Sequence, residues 1–342
     1  MAEPLEQTGL ARLMARGAGR PEIVVAVVDG LVALGHPGLA GGHLRVLPGG
    51  AGDRGGQGDD PCRPTGDDAS CRHGTYVVGL LGAGRTSRPP GICPGCAFLL
   101  RPIFAAGRVT GRSAAPAAPA APAVPVPPAA RPEDLAAAIV ECVDAGARVL
   151  NLSVAPDRPS STDHRELEWA LDHAAGRGVI TIVAAGNQGA VGTSVLTRHP
   201  WTVPVVAYDR RGRPMNLSNL GGSIGARGLG APGEGVVGLG VDGRPLAVTG
   251  TSAAAPFVAG AVALLLSAFP AAPPADVRSA LLLTAVGPRR TVVPPFLDAW
   301  AAYTALARTG NAPLRPGNRP FKNRENPVDL RGGTSSQSWF PS

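Results

Sequence analysis

The stretch Gly250-Thr251-Ser252-Ala253-Ala254-Ala255-Pro256 opens a long apolar run, Phe257 to Phe269, which reads as a buried helix. A Gly-Thr-Ser turn feeding a helix puts Ser252 at the helix N-terminus. Backbone N–H groups are unpaired there and the helix dipole favours negative charge. That geometry suits a Ser whose attack generates an oxyanion. Pro256 falls four residues after Ser252, offers its carbonyl no N–H and crowds it, so the first turn is expected to be distorted. Taken alone, the string reads equally well as a Ser N-cap on a core helix. The rest of the chain decides.

Upstream, Ile23 to Val28 is a continuous, largely β-branched run ending in Asp29-Gly30. Such a run suits a strand buried on both faces of a parallel sheet. A carboxylate at the C-terminal end of such a strand sits where open α/β folds place their chemistry, although a turn Asp before Gly is also common. Residues 41–72 are rich in Gly, Asp, Pro and Arg and read as loop. His73-Gly74-Thr75 then opens a helix that carries the His in its first turn. Of the six His residues (36, 43, 73, 164, 173 and 199), only His73 sits at a glycine-bounded helix start, while His164 and His173 read as solvated. Further strands are expected at 97–104, 148–153, 179–185 and 201–208, with helices at 5–17, 132–145, 163–177, 274–286 and 296–308. Short strands and turns are expected over 216–250. This alternation indicates a parallel, doubly wound sheet with its C-terminal strand ends along one edge. The expected organisation is an N-terminal helical extension (1–22), one domain (23–309) and an extended or disordered tail (310–342). The Ala/Pro-rich stretch 113–130 is read as a surface insertion within the domain.

Composition narrows the function classes. The chain has 342 residues, is 44% hydrophobic but only 4% aromatic, and carries a net charge of +7. Almost every cation is Arg; Lys322 is the one Lys. No basic run with interleaved aromatics occurs, so nucleic-acid binding is poorly supported. The longest apolar run contains Gly260 and reads as core helix, not as a membrane span. The N-terminal stretch lacks the apolar segment of a secretory signal, which points to a cytoplasmic protein. The five Cys residues (62, 71, 93, 96 and 142) are an odd number, against a disulfide framework. Cys93-Pro94-Gly95-Cys96 has no partner ligands for zinc. Cys62 and Cys71 flank the acidic loop and are placed to bridge it in an oxidising compartment. The acidic residues of that loop (Asp53, Asp59, Asp60, Asp67 and Asp68) read as solvated, and no metal or other cofactor is assigned.

Four sites therefore fall at one sheet edge: Asp29, His73, Asn187 (in Gly186-Asn187-Gln188-Gly189) and Ser252. Acyl transfer needs these four roles. Ser252 would attack, His73 would take and return its proton, Asp29 would orient the imidazole, and the Asn187 amide with the Ser252 N–H would hold the oxyanion. The order Asp…His…Ser, with Asp-Gly after a strand, His-Gly-Thr and Gly-Thr-Ser-x-Ala-x-Pro, resembles the subtilisin-like (S8) serine peptidases. Ala184-Ala185-Gly186-Asn187 looks like their oxyanion segment, Asn151-Leu152-Ser153 like the strand that pairs with bound peptide, and Ala231-Pro232-Gly233 matches a family turn. The resemblance covers about Ile23 to Val286. It implies a three-layer fold with a central, mainly parallel sheet and helices on both faces. It also implies hydrolysis of a peptide or protein substrate, with Ser153, Val154, Ala155, Ala185 and Gly186 lining the substrate path.

There are departures from the family pattern. Asp29 is followed directly by Gly30, where the family has Asp-Thr-Gly or Asp-Ser-Gly. Val154-Ala155-Pro156 replaces the Gly that normally follows the substrate strand, and Phe257 replaces a His in the serine helix. These bear on substrate preference, and none removes a catalytic group. Gln188, beside the expected entrance to the primary pocket, is neutral. A narrower resemblance, in Val28-Asp29-Gly30, His36-Pro37-Gly38-Leu39 and Arg101-Pro102-Ile103-Phe104, is to the subtilisin-like proteases of cyanobactin maturation, which cut precursor peptides of ribosomally made natural products. A leader-bearing precursor peptide is then the expected substrate. The alternatives are a general degradative subtilase and a non-cleaving peptide-binding pseudoprotease.

Overall fold

The computed structural model describes residues 2–48, 62, 68–104, 130–154, 164–283, 291–309 and 313. The expected insertion (but for Ala130) and the tail (but for Pro313) lie outside them. Six strands run parallel to their neighbours because each is joined to the next by a crossover on one face or the other. They are β1 (Val24–Asp29), β3 (Ala97–Pro102), β4 (Val149–Leu152), β5 (Ile180–Ala184), β6 (Val203–Tyr208) and β7 (Leu229–Pro232). With β2 (His43–Val46), which is also parallel to its neighbour β3, they form a seven-stranded sheet in the order β2-β3-β1-β4-β5-β6-β7. The expected parallel α/β sheet is thus observed. β1 lies between β3 and β4, with Val28 opposite both Arg101 and Leu152, so Asp29 emerges at the centre of the C-terminal edge. Its residues are buried on both faces, which is why the sequence runs apolar without alternation.

The helix opened by Gly250, α8 (Thr251–Ala268), is buried along its length except at Ser252 and Ala268, which are half-buried, in keeping with its apolar character. It lies against β4, β5, β6 and β7 and against α3 (Ala69–Gly82). With α9 (Pro274–Leu282) and α10 (Ala299–Arg308) it completes one helical layer. α4 (Pro132–Asp144) and α5 (Arg165–Gly176) cover the opposite face. β8 (Val236–Leu239) and β9 (Pro245–Val248) make a separate antiparallel hairpin.

Several expectations need correction. The single N-terminal helix is two, α1 (Ala2–Gln7) and α2 (Leu10–Met14). Gly9 breaks them at φ 69°, where an added Cβ would fall 2.9 Å from the Trp300 backbone N. Leu5, Leu10 and Leu13 pack into the same core as α8. Residues 41–72 are not all loop: β2 adds an edge strand beside β3, and α3 begins at Ala69. The alternation His43-Leu44-Arg45-Val46 carries the strand, too short to stand out among glycines. Two short helices, α6 (Val195–Arg198) and α7 (Gly222–Arg227), were also unforeseen. α6 is held by a capping box in which Ser194 and Thr197 bond reciprocally. His173 is not simply solvated, since its Nε2 lies 2.9 Å from Asp144 Oδ1.

Candidate active site

Asp29 is 1% exposed, and its Oδ1 accepts from the Gly30 N–H at 2.6 Å and pairs with His73 Nδ1 at 2.7 Å. A carboxylate can only accept, so His73 Nδ1 carries the proton and Nε2 is left as the basic nitrogen. Oδ2 is buried without a hydrogen-bond partner among the described residues.

The position of His73 relative to Asp29 is fixed by the first turns of α3. Asp68 caps the helix, accepting from Ser70 N at 2.8 Å and Cys71 N at 3.4 Å. His73 therefore sits in the second turn, one turn later than the sequence suggested. Leu31 N donates to Ser70 Oγ (3.3 Å) and Ala33 N to Thr75 Oγ1 (2.9 Å), tying the segment after Asp29 to the helix that bears the His. A Cys62–Cys71 disulfide closes two residues before His73, resolving the pairing that the sequence left open. Cys93, Cys96 and Cys142 are buried free thiols; burial pushes the Cys142 thiol up to about 12.

Burial alone would depress the His73 pKa. The Asp29 charge and hydrogen bond outweigh it, so the imidazole is held above its ordinary value. The side chain is still 29% exposed, open enough to meet a ligand.

Ser252 is the second residue of α8 and is half-buried. Its carbonyl, deprived of an i+4 partner by Pro256, accepts from Ser153 Oγ at 3.4 Å. Ser153 Oγ in turn accepts from Asn151 Nδ2 at 2.7 Å. The helix runs without interruption through Pro256, so the expected distortion reduces to this exchange of partners. Ser153, expected along the substrate path, has its hydroxyl turned to the serine helix. Val154 is half-buried against the α4–α5 layer, and Ala155 lies outside the described residues.

Asn187 is exposed at the turn after β5. Its Oδ1 accepts from Thr251 N (2.8 Å) and Thr251 Oγ1 (3.0 Å), and Thr251 Oγ1 accepts from Gly186 N (3.2 Å). With the carbonyl engaged, the Nδ2 group is the end left to meet a ligand. Ala185 is buried, its N–H donating to Val205 O and its carbonyl accepting from Asn219 Nδ2. Thr251 and Asn219 were not foreseen as site residues. Thr251 was legible as the neighbour of Ser252, whereas Asn219 had no local signal.

These contacts link the four residues. Asp29 bonds His73; Asp29 and Ser153 follow directly on paired Val28 and Leu152; Ser153 bonds the Ser252 carbonyl; Thr251 bonds Asn187. Among the described residues no hydrogen bond joins His73 to Ser252 Oγ. Catalytic hydrogen bonds in ligand-free sites are often long and tighten when substrate binds. No group of three or more His, Cys, Asp or Glu among the described residues is placed to hold a metal.

The family model described as the subtilase family, Peptidase S8, matches residues 20–319. The chain belongs to the subtilase family. This subtilase is 30% identical to fervidolysin of Fervidobacterium pennivorans over 303 residues, 82% of this chain and 40% of the relative. It thus spans well under half of that protein's length. The solved protease domain of PatA is 31% identical with a TM-score of 0.72, covering 85% of this chain and 97% of that one. The prenylagaramide maturation protease PagA is 28% identical with a TM-score of 0.71, covering 87% and 98%. Both are similar over nearly their whole lengths, which supports the narrower resemblance seen in the sequence.

Proposed function

We propose that this subtilase is a serine endopeptidase in which Asp29, His73 and Ser252 form the catalytic triad and Asn187 holds the oxyanion. The observation that carries the reading is the 2.7 Å Asp29–His73 contact at the edge where α8 presents Ser252. The imidazole accepts the Ser252 proton as its oxygen attacks the scissile carbonyl, and the carbonyl oxygen gains charge. The resulting imidazolium is stabilised by the buried carboxylate and then protonates the leaving amine. Charge on the oxygen is met by Asn187 Nδ2 and the α8 N-terminus. Water then releases the acyl group by the same steps in reverse.

The substrate we propose is a precursor peptide cut at defined positions, supported by the likeness to PatA and to PagA, whose name is that of a maturation protease. A proteome-derived peptide library, digested and read by mass spectrometry, tests this. One narrow sequence motif at the cut supports maturation; cleavage at many unrelated sites points to general degradation. No cleavage by a folded wild type points to a peptide-binding scaffold.

A further inference from the structure

We propose that Asn219, on the loop between β6 and α7, is a positioning residue for the Asn187 amide. This rests on the proposed role of Asn187 in holding the oxyanion. Asn219 is 4% exposed, yet its side chain uses its whole hydrogen-bonding capacity on one turn. Nδ2 donates to Ala185 O (3.1 Å) and Gln188 Oε1 (2.6 Å), and Oδ1 accepts from Gln188 N (3.2 Å) and Ala190 N (3.0 Å). Its backbone N–H donates to Gly186 O at 2.9 Å. Five bonds thus gather the polar groups on both sides of Asn187 onto one residue about 30 positions away in the chain. Gly186 has φ 104°, and a Cβ there would fall 2.3 Å from Asn219 Nδ2, so the close approach requires glycine.

Asn187 is therefore suspended between two anchors. Thr251 fixes its side-chain oxygen from the serine helix, and Asn219 fixes the backbone of the turn from the other side. An oxyanion donor acts only within about 2.7–3.1 Å of the developing charge. A misplacement of about 1 Å costs about a hundredfold in rate. Without Asn219 the turn keeps its sequence but loses the bonds that set the plane of its peptide groups. Asn219 need never touch substrate to matter.

A double-mutant cycle on a cleaved peptide, with active enzyme counted by fluorophosphonate titration, separates this from general destabilisation. Asn219→Ala is expected to lower kcat by about 30- to 100-fold with KM within about threefold. In an Asn187→Ala background the same change is expected to cost no more than about threefold, because the amide it positions is gone. If Asn219→Ala does not fold, Asn219→Ser, which keeps a hydroxyl in the buried position, goes through the same cycle. Equal losses in both backgrounds, or an unchanged kcat, overturn the proposal. Hydrogen exchange provides an arm independent of activity: Gln188 and Ala190 amides should exchange faster in the variant while the β5 and β6 amides do not, and unchanged exchange overturns it. A wild type that neither labels nor cleaves refutes the proteolytic reading and this one with it. A wild type that cleaves, matched by Asn219→Ala, refutes this one alone.

Discussion

Replacing Asp29 by Asn removes one charge and almost no volume from a site that is 1% exposed. Asp29 Oδ1 takes both the Gly30 N–H and the His73 Nδ1–H, while Oδ2 has no partner among the described residues. An Asn keeping its oxygen in the shared position would retain both bonds and the tautomer that leaves Nε2 basic; turning the amide round would set its NH2 against the Gly30 N–H. The main loss is then the charge facing the imidazolium. Unit charges about 4 Å apart at an effective dielectric near 20 attract by about 4 kcal/mol, or about a thousandfold in kcat/KM. The variant should also move the acid limb of the pH profile. In the wild type burial lowers the His73 pKa and Asp29 more than restores it, so the limb is expected above the ordinary imidazole value. Without the charge only burial remains, and the limb should fall below about 6.5. Stability follows the same sign. The raised pKa contributes stability that is fully present below the unfolded value and lost as pH rises through the folded one. The Asp29→Asn substitution should therefore cost more stability at about pH 5 than at about pH 9. The assay is kcat/KM from about pH 5 to 10 for both proteins, with denaturant melts near the two extremes. An acid limb that stays in place, or a loss below about tenfold, would show that the Asp29 charge does not set the behaviour of His73.

Asn187→Ala should lower kcat by about 10²- to 10³-fold with little change in KM, measured by steady-state hydrolysis of a cleaved peptide. Cys62→Ser with Cys71→Ser, or a thiol reductant, opens a loop of sequence separation 9 and should reduce unfolding free energy by about 3 kcal/mol in denaturant titration. Because the bridge closes beside His73, activity should fall in parallel. Phe257→Ala empties a fully buried site in α8 and should cost about 3–5 kcal/mol by the same titration. Gly186→Ala should impair kcat and stability together, since both its φ and the approach of Asn219 exclude a Cβ.

The parts legible in the sequence were those where one local string carries the whole physical reason. Ile23 to Val28 needs both faces buried, so a central parallel strand and the edge position of Asp29 follow from the run itself. Gly250, at φ 145°, marks the turn that leads into Ser252 at that edge. What the sequence did not disclose depends on partners far along the chain. β2 exists because β3 offers it an edge, and its four residues carry little signal of their own. The Ser153 hydroxyl answers the Ser252 carbonyl that Pro256 leaves unbonded, a partner 99 residues away in the chain. Asn219 stands in a Gly- and Pro-rich stretch with no periodicity, and its meaning appears only once Ala185 to Ala190 is folded against it. The Cys62–Cys71 pairing likewise needed the geometry of the α3 N-terminus.

The proposed chemistry stands on Ser252 being a nucleophile activated by His73 and Asp29. Its most direct test is labelling with a fluorophosphonate probe, with the modified residue mapped by mass spectrometry in wild type, Ser252→Ala and His73→Ala. One label per chain on Ser252, lost in the first variant and slowed by orders of magnitude in the second, is the predicted result. A wild type that is folded by circular dichroism and takes up no label, or labels equally well without His73, would contradict it.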